Sequence, residues 1–185
     1  MTRLASRLRS ESGFSLVEML VTTLILVLAT ACMTVGVSFA TRQYRESRVQ
    51  SEGRTLLSTL RSAVEGELVG ATTVTLDDDD NVVSFFNSVY GDSSLTCVRV
   101  DGGRVVPVED GGLGELYVGD ENGDGRLLVG SATYSSYGLG ARVTELSYDA
   151  GDNVFHVGLD VGDGVDVIDS SSFDVRPTNK LVVLR

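Results

Sequence analysis

From Met19 to Thr41 the chain runs 23 residues without a charged side chain, bounded by Glu18 before it and Arg42 after it. A helix over residues 14–41 would reach about 42 Å, against about 30 Å of bilayer hydrocarbon. An ordinary secretory signal has a shorter apolar core and a small-residue cleavage site behind it. After Arg42 the pattern changes period. Val49, Leu56, Leu57, Leu60, Val64 and Leu68 recur at spacings of three, four and seven, which makes one apolar stripe. Arg45, Arg48, Glu52, Arg54, Arg61 and Glu65 occupy the opposite face. The pattern therefore predicts one continuous helix from Phe14 to about Glu67, apolar all round in its first half and amphipathic in its second. Gly36 and Gly53 are expected to be the points where it softens.

Beyond Gly70 short β-rich runs alternate with turn clusters. Strands are expected over 82–90, 95–100, 104–108, 115–119, 126–130, 142–148, 154–161 and 180–184. Asp101-Gly102-Gly103 reads as one hairpin turn and Asp149 to Asn153 as another, while the acidic run Asp77 to Asp80 reads as a solvated turn or a loop leaving the helix. The simplest way to bury such strands is an antiparallel sheet with one face under the amphipathic helix. The expected architecture is α+β. Its segments are a basic stub over 1–13, a membrane helix over 14–41, an amphipathic helix over 42–68 and a β-rich head over 69–185.

Charge sharpens the topology. The stub carries Arg3, Arg7 and Arg9 against Glu11, about +2, and the remainder carries 12 basic against 25 acidic residues, about −13. A basic stub stays cytoplasmic and the acidic bulk crosses, so the head is expected outside. A head of this sign is a poor ligand for nucleic acid, whose phosphates require Lys and Arg. Cys32 lies in the apolar run and Cys97 in the distal part, so no intrachain disulfide is expected.

The junction between stub and helix reads Gly13-Phe14-Ser15-Leu16-Val17-Glu18. This arrangement resembles the N-terminal signal of the type IV pilin and pseudopilin superfamily: a basic leader ending in Gly, an aromatic residue, Glu at the fifth mature position, then an apolar helix. The resemblance covers about the first 45 residues. It implies cleavage after Gly13 by a membrane prepilin peptidase, N-methylation of Phe14, and subunit assembly in which Glu18 pairs with the Phe14 amine of a neighbour. A matched pair is far less costly than a lone charge at low dielectric. The resemblance further implies a subunit of a type IV pilus or a type II secretion-like pseudopilus, with other pilin-like subunits, a platform protein, a cytoplasmic ATPase and membrane lipid as partners. Many major pilins carry Pro near the twenty-second mature position, where this chain has Val35 followed by Gly36, which favours a minor subunit. The alternative is a membrane-anchored binding or adhesion module that does not polymerise.

Other motifs carry less. Asp120, Asn122 and Asp124 resemble the first half of an EF-hand loop, but the twelfth position is Ser131, so the bidentate ligand is missing. A polar β-turn is the favoured reading. Calcium, which some pseudopilins hold in the head, is the alternative and would need Asp110 or Asp163 as well. The stretch from Asp160 to Asp166 is a weaker candidate. Ala29-Thr30-Ala31-Cys32 is a poor lipoprotein box, because the apolar run continues past it. His156 is the single histidine, mid-strand and without a second His or a Cys partner. Neither a catalytic constellation nor a phosphate-binding loop is present in the sequence, so no enzyme and no cofactor is expected.

Overall fold

The computed structural model describes residues 16–89, 91–101, 104–108, 111–119, 125–135, 138–164 and 166–185. Helix α1 runs Leu16–Val69, 54 residues through both Gly36 and Gly53. Two compact units divide the chain at Ser47/Arg48. The described part of the first is the apolar portion of α1 and the few residues after it. The second holds the rest of α1 and every strand.

In the second unit the apolar stripe does what its spacing demands. Leu56, Leu57, Leu60, Val64 and Leu68 are buried and Val49 is half-buried, while Arg48, Arg54, Arg61 and Glu65 stay exposed. Full burial of such aliphatic side chains is worth roughly 1.5–3 kcal/mol each in transfer free energy. Gly53 has a different role from the expected weak point. It is buried, and a Cβ there would lie 3.2 Å from Ile168 Cγ2, so it is a close-packing position.

The strands follow as β1 (Ala71–Leu76), β2 (Val82–Asn87), β3 (Gly91–Asp101), β4 (Arg104–Pro107), β5 (Glu115–Gly119) and β6 (Gly125–Leu127). A short helix α2 (Ser131–Ser135) precedes β7 (Gly140–Asp149), β8 (Val154–Gly162), β9 (Val167–Val175) and β10 (Val182–Leu184). All eight expected strands are present. Two more, β1 and β9, escaped the sequence pattern. In β1 a bulge between Ala71 and Thr73 breaks the alternation, and three of its six residues are Thr. In β9 the centre is Ser170-Ser171-Ser172, a run that reads as loop. That serine run is held as strand by pairing with β8 along its length and by the burial of Phe173 and Val175.

The single antiparallel sheet expected from the sequence is corrected to two sheets, one of them mixed. A seven-stranded sheet has the order β10-β1-β2-β3-β5-β6, with β4 also on β3, and β7-β8-β9 form a separate antiparallel meander. The parallel pair is β1 with β10. It arises because the tail returns past the start of β1, where the Thr178 amide donates to the Val69 carbonyl at 3.0 Å. The tail therefore enters beside β1 in the same direction.

Two bridges tie the sheets together, Asn81 to Ser147 and Gly114 to Ala141. At the second, both amides donate across the gap, at 2.9 and 2.6 Å. A Cβ on Gly114 would sit 2.3 Å from the Val98 carbonyl oxygen, so only glycine permits this approach. Both sheets and α1 share one hydrophobic core, in which Leu60, Val74, Leu116, Phe155, Val157 and Val161 are fully buried. Tyr134 of α2 joins it, and its hydroxyl accepts the Leu116 amide at 3.1 Å.

Both expected hairpins connect paired strands. β3 and β4 pair up to Asp101 with Arg104, around Gly102 and Gly103, which lie outside the described residues. The β7–β8 turn is closed by the Asp149 carboxylate, which accepts from the Gly151 amide at 2.7 Å. The acidic run forms the β1–β2 turn. Asp77 accepts from the Asp79 and Asn81 amides at 2.9 and 2.8 Å and from the Asn81 side chain at 3.0 Å. The Asn81 bonds, the side-chain one first, hold its carboxyl below the usual carboxylate range.

Candidate functional site

The first unit presents a surface that water does not favour. From Leu16 to Ala40 every residue is exposed, Leu26 to 67 % and Val35 to 71 %. A helix apolar on all sides is stable only when something apolar surrounds it. The chemistry of its polar side chains fits such surroundings. The hydroxyls of Thr22, Thr23, Thr30, Thr34, Ser38 and Thr41 each donate to a carbonyl three or four residues back, at 2.6–3.0 Å. These are all the hydroxyl residues between positions 16 and 41. A hydroxyl satisfied within its own helix needs no water, which is how Ser and Thr are tolerated in hydrocarbon. The helix is long and apolar enough to cross a membrane.

Glu18 stands in the first turn of α1, exposed, where the positive end of the helix dipole favours a carboxylate. It is the only ionisable residue among the described residues before Arg42 apart from the Cys32 thiol. Gly13 and Phe14, the expected cleavage and methylation positions, lie outside the described residues. So do Asp120, Asn122 and Asp124 of the partial calcium motif, and Asp110. Among the described residues no group of three or more His, Cys, Asp or Glu side chains is placed to hold a metal.

In the second unit, two buried carboxylates are matched by arginines, and the sequence singled out only the first of them, as a weaker calcium candidate. Asp160, from the weaker acidic stretch, is tied to Arg142, whose Nε and Nη2 donate to its Oδ2 at 2.9 and 2.7 Å. Ser170 donates to its other oxygen at 2.7 Å. Arg142 also reaches the Gly111 carbonyl at 2.7 Å, so one guanidinium joins β7, β8 and the loop before β5. These bonds make Asp160 a structural link between β7, β8 and β9. Glu67, in the last turn of α1, is buried and bonds Arg126 of β6 through Oε1, while Asn87 donates to the Glu67 carbonyl at 3.0 Å. Glu67 Oε2 is buried with no hydrogen-bond partner among the described residues.

Cys32 is an exposed thiol in the apolar segment and Cys97 a half-buried one in β3. Cys97 Sγ lies 3.1 Å from the Ala141 carbonyl, and burial raises its pKa. His156 sits in β8, with Nδ1 2.8 Å from Asp174 Oδ1 of β9 on a half-exposed face. No family model matches the chain, and no curated protein or solved structure matches it either. The strongest feature among the described residues is the exposed apolar segment of α1 with one carboxylate at its start.

Proposed function

We propose that the chain is a membrane-anchored, prepilin-like subunit that polymerises through its N-terminal helix into a type IV pilus or a type II secretion-like pseudopilus. The observation that carries this reading is the juxtaposition of an exposed apolar helix with Glu18 in its first turn, four residues after Phe14 of the Gly13-Phe14 pair. A carboxylate at the edge of an apolar helix is costly to draw into hydrocarbon, so its presence calls for a partner. Cleavage after Gly13 would create that partner, the free amine of Phe14 on a neighbouring subunit. An unprocessed subunit has an amide there, so processing licenses assembly. The acidic head faces outward and tiles the filament. A platform protein and a cytoplasmic ATPase supply the work, since the chain has no phosphate-binding loop.

The test is coexpression of the full chain with a prepilin peptidase, followed by intact mass and N-terminal sequencing of the membrane-extracted protein. The expected product begins at Phe14 and carries one added methyl group. A chain that still begins at Met1 beside an active peptidase would overturn the processing step and leave a membrane-anchored binding module. Glu18→Ala separates those two outcomes further. It should reduce the assembled fraction at least ten-fold in a polymerising subunit and leave a simple anchor unchanged.

A further inference from the structure

Six arginines have a visible electrostatic partner. Arg48 meets Glu52, Arg54 meets Asp169, Arg61 lies over the Phe173 ring, Arg126 meets Glu67, Arg142 meets Asp160 and Arg185 meets Asp80. Arg42 and Arg45 meet no carboxylate among the described residues, although Glu46 stands four residues after Arg42. They are three residues apart and so share one side of the helix.

Their position matters more than their number. The uncharged run from Met19 to Thr41 is about 34 Å long as a helix, close to the thickness of bilayer hydrocarbon. With Glu18 at one boundary, Arg42 stands at the other, at the level of lipid headgroups. Tyr44 lies beside it, a residue type enriched at that depth. Basic residues ordinarily collect on the cytoplasmic flank of a membrane helix, so an unmatched pair on the exported flank needs a reason. A shallow groove of about 340 Å³ leads to this point, lined by Thr34, Val35, Ser38, Phe39 and Arg42. The Thr34 and Ser38 hydroxyls are turned onto their own helix, each at 2.9 Å, so the groove offers a passing ligand no free hydroxyl proton. Its chemistry is an apolar trough ending in a cation.

We infer that Arg42 and Arg45 bind the phosphate of an anionic phospholipid in the exported leaflet, with one acyl chain lying along the groove of Thr34, Val35, Ser38 and Phe39. The charge complementarity is direct: two unpaired guanidinium groups meet a phosphodiester at matching depth, while the rest of the lipid meets apolar side chains. A basic residue near an anionic bilayer surface is worth about 1 kcal/mol, or roughly five-fold in binding. The inference rests on the membrane-spanning part of the proposed function and on neither cleavage nor polymerisation.

The experiment uses the full chain in nanodiscs of phosphatidylcholine doped with phosphatidylglycerol, with native mass spectrometry counting the lipids that stay bound. The expected result is selective retention of phosphatidylglycerol, reduced roughly twenty- to thirty-fold in the R42Q/R45Q double variant. R104Q, on the exposed strand β4, should leave retention unchanged. Equal retention of both lipids by the wild-type chain, or unchanged enrichment in the double variant, would overturn the inference. If instead the double variant loses crosslinking between copies while keeping its lipid, the arginines face the acidic head of a second copy. Enrichment on a chain that an active prepilin peptidase leaves uncleaved would sink the filament reading and leave this one standing. A chain that fails to enter the bilayer would sink both.

Discussion

Leu26 and Leu60 belong to the same helix, α1, yet one is 67 % exposed and the other fully buried. The backbone is helical at both positions, so secondary structure does not explain the difference. The distribution of polar residues does. Around Leu60 a charged face and an apolar stripe let the chain bury one side against its own sheets. Around Leu26 there is no charged face, and the apolar side chains of this segment are exposed. One half of the helix is covered by folding, and the other is long and apolar enough to cross a membrane. A helix is stabilised mainly by what packs on it, so the two halves call for different surroundings.

The contrast can be broken most strongly at its buried end. Leu60→Ala should destabilise the head by about 2–5 kcal/mol, because it opens a cavity in the shared core. Leu26→Ala, the same chemical change in the first unit, should leave head stability within about 0.5 kcal/mol. Chemical denaturation of both variants in detergent checks the pair, and equal losses would overturn the contrast.

Alkaline titration probes the core in another way. Burial pushes the Tyr134 hydroxyl up to about 12 from an ordinary value near 10. The neutral phenol is the form the fold favours, so its contribution is complete below about pH 10 and is lost as pH rises through about 12. Two pH units correspond to about 2–3 kcal/mol. Tyr134→Phe should flatten that pH dependence and cost about 1 kcal/mol at neutral pH, since the Leu116 amide loses its acceptor. A smaller effect is expected at the end of α1. Arg126→Ala strands the buried Glu67, but the arginine is half-exposed, so the loss should be about 1–2 kcal/mol. Glu67→Gln in the same background should recover part of it. No recovery would mean that the cost lies in lost packing of the arginine stem rather than in unpaired charge.

Much of this molecule was legible along the chain. The uncharged run, the stripe from Val49 to Leu68, and eight of ten strands follow from local period and turn chemistry, because those signals depend on neighbours within a few residues. The candidate site was read from one short window, Gly13 to Glu18, of which Gly13 and Phe14 lie outside the described residues and Glu18 is found in the first turn of α1. What the chain pattern hid was set by distant partners. A serine run became β9 because β8 pairs with it, and a threonine-rich segment became β1 although a bulge interrupts its alternation.

The sequence by itself therefore determined that one long helix carries an uncharged apolar run, which face of its second half turns inward, and where the turns fall. Hydropathy, helical period and turn propensity are properties of short segments. Only the tertiary structure decided that the strands divide into two sheets, that β10 runs parallel to β1, that Gly53 is a packing position and that Asp160 and Glu67 are matched by arginines. Each of those depends on which distant segments share a core, and the free energy of burial that selects the pairing belongs to the whole fold and to no single window of the chain.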